Sequence, residues 1–256
     1  MKKRLDVLLV ERGLAETRTQ AQALVLAGLV PGYEKPGTAI DEATELVVER
    51  PPRFVSRGGE KLDHALDAFG IDVTGRLCLD VGASTGGFTD VLLQRGARHV
   101  IALDVGYGQL HPRLRGDPRV TVHERTNVRG LDADALLYAP DLVTCDVSFI
   151  SVRKALPPAL QLAAPGWQAL VLVKPQFEAG REDVPRGGVV RDPDVHRRVL
   201  HEVAGAALAW GARTAGVVDS GLPGPKGNRE FFLHLADDPS PHFPDELPRW
   251  IDVAVG

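Results

Sequence analysis

From residue 58 onward, short apolar stretches alternate with stretches whose apolar residues recur at helical spacing. RLCLDVG, HVIALDVG and DLVTCDV are typical of buried strands, and GGFTDVLLQRG, between the first two, is typical of a helix. Parallel strands need a crossover connection, which is usually a helix, so this alternation predicts a parallel sheet. The sequence therefore predicts an α/β fold with helices on both faces of a central sheet.

One predicted helix, in the stretch SVRKALPPALQLA, contains two consecutive prolines, Pro157 and Pro158. Proline has no N–H to donate, and its ring clashes with the preceding turn, so an internal proline kinks or ends a helix. We expect this helix to begin late or to break at the proline pair.

The N-terminal 50 residues have a pattern of their own. Leu5, Leu8 and Leu9 share one face of a predicted helix, and Thr17 is the predicted N-cap of a second helix. The stretch TELVVE, residues 44–49, predicts a short strand. A domain of this size would be only marginally stable on its own.

The segment RPPRFVSRGG is rich in proline and arginine and carries a double glycine, which is typical of a linker. We therefore predict a small α+β domain over residues 1–50, a linker over 51–57, a larger α/β domain over 58–240 and a C-terminal tail over 241–256.

The composition fits a soluble globular protein, with 44% apolar residues, 25% charged residues and a formal net charge of −4. Cys78 and Cys145 each lie in a predicted strand, so we expect buried thiols rather than a disulfide. The histidines show no spacing typical of metal ligands. Asp6 and Glu11 interrupt the first apolar stretch, and no stretch approaches the ~20 apolar residues of a membrane span. We expect a cytoplasmic protein without a bound metal.

The stretch LCLDVGASTGGFTD places a glycine-rich turn between a strand that ends near Asp80 and a helix. In open parallel sheets, ligands bind at the carboxyl ends of strands, where glycines let the backbone approach the ligand closely. The spacing of Gly82, Gly86 and Gly87 differs from the dinucleotide fingerprint G-x-G-x-x-G. Asp104 follows the next strand, where a carboxylate can hold the hydroxyls of a ribose. Together these features favour a nucleoside-like cofactor such as S-adenosylmethionine; a tight structural turn is the alternative.

Charged side chains also stand at the ends of later predicted strands. Asp146 ends the strand in CDVSFIS, and Lys174 ends the apolar stretch ALVLVK. Burying a charge is costly unless the charge is paired, so a lysine in this place needs an explanation. Glu230 opens the last predicted strand, and Lys61 lies on the helix before the first. Each of these residues alone fits a solvated surface charge, but neighbouring strand ends would bring them into one crevice.

A series of ordered segments together resembles the TlyA family, often labelled hemolysin A: RFVSRGGEKL, DVGASTGGFTD, DVGYGQL, CDVSFIS, VKPQFE, GGVVRDP and GNREFF. The family contains rRNA 2'-O-methyltransferases with an FtsJ-like catalytic domain, and the resemblance covers most of the chain. It implies a Rossmann-like fold that uses S-adenosylmethionine and acts on ribosomal RNA or ribosomal subunits, with cytidine as the target. The N-terminal segment resembles an S4-type RNA-binding domain, although its VPGYEKPG turn is shorter than usual and lacks Asn-Gly.

The resemblance also implies site residues. The family's Lys-Asp-Lys-Glu tetrad falls on Lys61, Asp146, Lys174 and Glu230. RNA contacts are expected from arginines at three positions: Arg4, Arg18 and Arg57. Cofactor contacts fall on the glycine-rich turn, on strand-end acids and on positions beside them: Asp80, Gly82, Ala83, Ser84, Thr85, Gly86, Gly87, Phe88, Asp104, Val105 and Asn127.

Methyl transfer to a ribose 2'-hydroxyl requires a group that takes the hydroxyl proton, and Lys174 is the candidate base. Burial and nearby positive charge favour its neutral amine, whereas Asp146 and Glu230 favour its ammonium form, so the sequence leaves its protonation state open. Three alternatives remain: an RNA-binding protein without methyltransferase activity, a membrane-active hemolysin, and a nicotinamide-dependent dehydrogenase, which the glycine spacing disfavours.

Overall fold

The chain divides into two compact units, Met1–Arg53 and Phe54–Gly256. The computed structural model describes residues 2–49, 52–238, 240 and 242–256. Residues 50 and 51, at the predicted boundary between the small domain and the linker, lie outside the described residues, as do 239 and 241, at the predicted boundary between the larger domain and the tail.

The N-terminal unit contains helices and a two-stranded antiparallel sheet. Its elements are β1 (Lys2–Arg4), α1 (Leu5–Glu11), α2 (Arg18–Leu26) and β2 (Ala39–Asp41). Thr17 caps α2 as predicted, because its side chain accepts a hydrogen bond from the backbone N–H of Gln20. Residues 44–49 form no strand, contrary to our prediction. Leu46 is buried in the core of this unit, but the strand that pairs with β1 is β2.

The C-terminal unit carries a seven-stranded sheet within the described residues. Its elements are α3 (Arg57–Phe69), β3 (Leu77–Val81), α4 (Gly87–Gln94), β4 (His99–Leu103), α5 (Pro112–Arg115), β5 (Val120–His123), β6 (Leu142–Cys145), α6 (Val152–Gln161), β7 (Gln168–Val173), α7 (Pro175–Glu178), α8 (Pro193–Leu208), β8 (Ala212–Asp219), β9 (Phe231–Asp237) and α9 (Leu247–Val255).

The strand order is β5-β4-β3-β6-β7-β9-β8. The first five strands of this order are parallel, as predicted, whereas β9 runs antiparallel to both of its neighbours. The apolar pattern of EFFLHLA predicts a strand but carries no information about its direction. Because β9 is reversed, its first residues lie at the same edge of the sheet as the carboxyl ends of the parallel strands.

Side chains that alternate along the strands build a core on each face of the sheet. On one face, Leu170 and Phe232 belong to a cluster with apolar residues of α3 and α4. On the other face, Val171 and Leu233 belong to a cluster with apolar residues of α6, α8 and α9. Both cysteines are buried free thiols, as expected.

The proline pair neither delays nor breaks α6, so our expectation was wrong. Pro157 and Pro158 both lie inside a continuous helix from Val152 to Gln161. Proline removes hydrogen bonds, but its backbone angle near −65° is compatible with a helix. The buried face of α6, which includes Leu156 and Leu160, packs into the core and offsets that loss.

The predicted C-terminal tail contains α9. Leu247, Ile251 and Val255 recur at helical spacing, and all three are buried in the larger core cluster. This segment is therefore part of the packed structure of the C-terminal unit. Across the described part of the chain, no helix is long and apolar enough to traverse a bilayer.

Candidate active site

The register of the sheet places the charged strand ends side by side. Val81 of β3 pairs with Leu103 of β4 and with Cys145 of β6. Asp104 and Asp146, which follow these two partners, therefore emerge at the same level. The glycine-rich turn begins between them, directly after β3.

Two further tetrad residues, Lys174 and Glu230, lie along the same edge of the sheet. Val173 of β7 pairs with Phe231 of β9, so Lys174 and Glu230 are adjacent one residue further out. Side chains two residues apart on a strand share a face. Glu230 therefore lies on the same face as Phe232, which is the face covered by α3.

Lys61 reaches this edge from α3. Its Nζ donates a hydrogen bond of 2.6 Å to Oε2 of Glu230, and the side chains are only 8% and 2% exposed. A buried charge is tolerated when it is paired, and each member of this pair supplies the opposite charge that the other needs. The sequence predicted both residues, and the structure brings them into contact.

Lys174 forms a second ion pair, with Oδ1 of Asp146. Its Nζ also donates a 3.0 Å hydrogen bond to Oγ of Ser148. The lysine side chain is 11% exposed and the aspartate side chain 25% exposed, so this pair is more open to solvent than the Lys61–Glu230 pair. The tetrad thus consists of two ion pairs, each with one lysine and one carboxylate.

The glycine-rich turn approaches the backbone of β6 closely. Gly82 has φ = +85°, and a Cβ added there would lie 2.4 Å from the carbonyl oxygen of Asp146. Only glycine fits both constraints without strain. At the other end of the turn, a Cβ on Gly87 would lie 2.2 Å from Oγ of Ser56. The two glycines therefore let the turn pack closely against the carbonyl group of Asp146 and the side chain of Ser56.

Asp80 lies beneath this turn and has no exposed surface. Its two carboxylate oxygens accept hydrogen bonds from the hydroxyls of Thr89, at 2.7 Å, and Thr144, at 2.9 Å. Burial raises the pKa of Asp80 to about 6, although these hydrogen bonds oppose the shift. Asp80 thus joins β3, β6 and α4 from within the core.

A cavity of about 620 Å³ opens in front of the tetrad and the turn. This volume is within the usual range for small-molecule sites. Many of the predicted residues line it: Arg57, Lys61, Gly82, Ala83, Ser84, Thr85, Gly87, Phe88, Asp146, Lys174 and Glu230. The structure therefore places the tetrad and most of the predicted cofactor turn around one space.

Other predicted cofactor residues are outside the cavity lining: Asp80, Gly86, Asp104, Val105 and Asn127. Asp104 accepts hydrogen bonds from the backbone N–H groups of Ser84, at 2.8 Å, and Gly106, at 2.6 Å. It thereby holds the turn in place. The side chain of Asn127 accepts from the N–H of Arg129 and caps a 3-10 helix, Val128–Gly130.

The cavity also has lining residues that the sequence analysis did not select. Ser148 contacts Lys174, and Phe149 and Phe177 form an aromatic pair with ring centroids 5.3 Å apart. Phe149 has φ = +65° and is 92% exposed, which is unusual for a phenylalanine. The motif CDVSFIS contains two of these residues, but the pattern does not indicate left-handed backbone or exposure. Lys226 was also missed.

The predicted RNA-binding arginines of the N-terminal unit share one buried partner. Arg4 and Arg18 both donate hydrogen bonds to the carboxylate of Asp6, at distances of 2.9 to 3.0 Å. Hydrogen bonding from Arg4 is the main reason that the pKa of Asp6 lies well below its usual value. About half of each arginine side chain stays exposed, so both remain accessible to a phosphate.

No group of three or more His, Cys, Asp or Glu side chains in the described part of the chain is arranged to hold a metal ion.

Comparison with models of known protein families shows to which family the chain belongs. The model of the FtsJ-like methyltransferase family matches residues 54–236. The chain belongs to this family. The model of the S4 domain matches residues 3–30. The predictions of a methyltransferase fold and of an N-terminal S4 domain are confirmed.

Matches to known proteins cover nearly the full length of this chain. The Mycobacterium tuberculosis protein named 16S/23S rRNA (cytidine-2'-O)-methyltransferase TlyA is 52% identical over 91% of this chain and 89% of its own. The protein named Hemolysin A of Brachyspira hyodysenteriae is 39% identical over 91% of this chain and 99% of its own. A solved structure from Streptococcus thermophilus, described as a candidate hemolysin, is 43% identical, covers 99% of this chain and 95% of its own, and has a TM-score of 0.77. The resemblance to the TlyA family is confirmed.

Proposed function

We propose that this chain transfers a methyl group from S-adenosylmethionine to the ribose 2'-hydroxyl of a cytidine in ribosomal RNA. The observation that carries the proposal is that two lysine–carboxylate ion pairs, one of them buried, line the same cavity as a glycine-rich turn. The tetrad offers proton transfer and charge stabilisation, and the turn offers a place for a nucleoside-like cofactor.

The residues present fit the proposed cofactor. The turn from Gly82 to Thr85 lines the cavity, and a side chain at Gly82 would be excluded by Asp146. Asp104 stands at the end of β4 and holds the turn through Ser84. Each carboxylate oxygen has two lone pairs, so Asp104 can also accept from a ribose hydroxyl. When bound, S-adenosylmethionine supplies a methyl group on a positively charged sulfur.

Lys174 acts as the base. Its Nζ takes the proton of the 2'-hydroxyl as that oxygen gains the methyl group. For this step Nζ must have a free electron pair. Asp146 and Ser148 hold the amine in one position, which favours an in-line approach of the ribose oxygen.

Lys61 and Glu230 supply fixed charge beside the reacting oxygen. Negative charge develops on the 2'-oxygen as its proton leaves, and the ammonium of Lys61 is held nearby to stabilise that charge. Glu230 holds the amine of Lys61 in place through their buried ion pair. Because these charges are already oriented, little reorganisation is needed during the reaction.

The substrate class rests on the relatives and on the N-terminal unit. Similar proteins are named as methyltransferases that act on cytidine of 16S and 23S rRNA or of 23S rRNA. The S4 domain and the two arginines held by Asp6 support an RNA substrate. We therefore propose a ribosomal subunit or its RNA as the partner.

The proposal is tested with cofactor that carries a tritiated methyl group. The full-length protein is incubated separately with small and large ribosomal subunits that lack the modification, and the labelled nucleotide is mapped. We expect label on a cytidine ribose. Alkaline cleavage identifies this position, because a 2'-O-methyl group protects the adjacent phosphodiester. Label on a base, or no label on either subunit, would overturn the proposal.

A further inference from the structure

The charges that line the cavity do not balance. The two lysines of the tetrad are each paired with one of its carboxylates. Arg57 and Lys226 also line the cavity, and neither forms an ion pair with any described residue. The wall therefore carries two positive charges that the described carboxylates leave unneutralised.

These two cations belong to one side of the cavity. The guanidinium of Arg57 donates a 2.7 Å hydrogen bond to the carbonyl oxygen of Pro223. Pro223 leads into the turn that carries Lys226, and this turn is closed by a 2.8 Å hydrogen bond from the N–H of Gly224 to the carbonyl oxygen of Asn228. Arg57 and the turn with Lys226 are thus held together.

The turn with Lys226 lies away from the predicted ribose acid of the cofactor. It leads into β9, and the strand order separates β9 from β4, which ends before Asp104, by four strand spacings. With neighbouring strands ~4.8 Å apart, this separation is roughly 19 Å. The base Lys174, directly after β7, lies between the two. The unpaired cations are therefore on the side from which a substrate would approach the base.

We infer that Arg57 and Lys226 form a phosphate subsite for the RNA backbone next to the methylated nucleotide. This inference rests on the proposed function. The planar guanidinium of Arg57 can donate two parallel hydrogen bonds to one phosphate, and the ammonium of Lys226 adds a compact charge. Such contacts position an RNA without reading its sequence, so the subsite sets the distance between the target ribose and Lys174.

The test compares RNA binding by the full-length wild type and by Lys226→Ala. The probe is a fluorescein-labelled single strand of about 12 cytidines, a length that spans typical single-strand sites. Anisotropy is followed between about 50 and 200 mM salt. We expect about tenfold weaker binding at low salt, the contribution of one charge-assisted hydrogen bond. The slope of log affinity against log salt falls by about 0.7, the value for one phosphate contact.

Two controls separate this subsite from general charge effects. Lys226→Arg keeps the positive charge and retains most of the affinity and the slope. Arg98→Ala removes one positive charge just before β4, at the amino ends of the parallel strands and thus on the side of the sheet away from the cavity. We expect its RNA affinity to stay within about twofold of that of the wild type. An unchanged slope in Lys226→Ala, or an equal loss in Arg98→Ala, overturns the inference.

A cofactor measurement distinguishes the other anion that these cations could meet, the carboxylate of the cofactor. Calorimetry with S-adenosylhomocysteine gives the same affinity for the wild type and for Lys226→Ala if the subsite binds RNA phosphate. Weaker cofactor binding with an unchanged RNA slope assigns the cations to the cofactor and overturns the inference. A wild type that binds RNA but transfers no methyl group contradicts the proposed function, while the binding comparison still decides the subsite.

Discussion

Lys61 and Glu230 are separated by 169 positions in the chain, yet their side chains form a buried ion pair of 2.6 Å. One residue comes from α3 and the other from the start of β9. The pair therefore connects the helix that precedes the sheet with the reversed strand near its end. The same contact joins these two elements and places a pair of opposite charges at the candidate active site.

Glu230→Gln leaves the ammonium of Lys61 buried without its carboxylate. We expect the free energy of unfolding to fall by about 3 kcal/mol, because an uncompensated buried charge is strongly destabilising. Urea denaturation measures this change. The matched control is the double variant Lys61→Met with Glu230→Leu, which replaces both charges by apolar groups and recovers most of the stability without recovering methyl transfer. A loss below about 1 kcal/mol in Glu230→Gln would mean that the pair is effectively solvated.

Gly82→Ala tests the close approach of the glycine-rich turn to β6. Alanine at φ = +85° costs roughly 1–2 kcal/mol, and its Cβ would also displace the backbone of Asp146. We expect cofactor affinity, measured by calorimetry, to fall at least about tenfold, a free-energy difference of about 1.4 kcal/mol.

Gly75→Ala is the matched control for this variant. Gly75 also has a positive φ, of +75°, but a Cβ there would meet nothing within 4 Å. The Gly75→Ala variant therefore has only the conformational cost of a positive φ, and we expect it to keep its cofactor affinity. Equal cofactor affinities in the two variants would show that the contact with Asp146 does not matter.

Asp80→Asn tests the pH dependence that follows from burial. The pKa of Asp80 is about 6 in the folded protein, against 3.8 for the ordinary group. Between these values the folded state holds a proton that the unfolded state has lost, so the free energy of unfolding falls as the pH rises. The contribution of the protonated Asp80 to the free energy of unfolding is fully present below about pH 4 and is lost above about pH 6. Its total is about 3 kcal/mol.

Asparagine does not titrate, so the stability of Asp80→Asn relative to the wild type should increase by about this amount between pH 4 and pH 7. Urea denaturation across that range measures the difference. Asp72→Asn is the matched control. A backbone hydrogen bond from Thr74 lowers the pKa of Asp72 below its ordinary value of 3.8, so this group titrates below the measured range and the stability difference for Asp72→Asn should stay nearly constant between pH 4 and pH 7. If the difference in the free energy of unfolding between Asp80→Asn and the wild type were independent of pH, this result would contradict the raised pKa of Asp80.

The sequence predicted the sheet and most of its strands because buried strands are continuous apolar stretches with a charged residue at one end. Asp146 and Lys174 were found in this way, and their neighbourhood followed from the parallel order. The direction of β9 was not predictable, because the same apolar pattern fits either direction. That direction is what carries Glu230 to the site.

Other features depend on contacts that are distant in sequence. Pro157 and Pro158 are compatible with α6 because the helix packs into a core that local propensity does not include. Asp6 was interpreted only as an interruption of an apolar stretch, whereas it holds Arg4 and Arg18. Lys226 resembles any lysine in a glycine-rich loop until the position of Arg57 is known.

Methyl transfer by Lys174→Ala tests the central claim most directly. The variant is assayed with tritiated cofactor and ribosomal subunits, and its affinity for S-adenosylhomocysteine is measured alongside. Positioned proton transfer typically contributes about 10²–10⁴-fold to rate, so we predict a loss of kcat of at least about 100-fold with cofactor affinity unchanged. An active Lys174→Ala protein that methylates the same ribose at a rate near that of the wild type would contradict the role of Lys174 as the base.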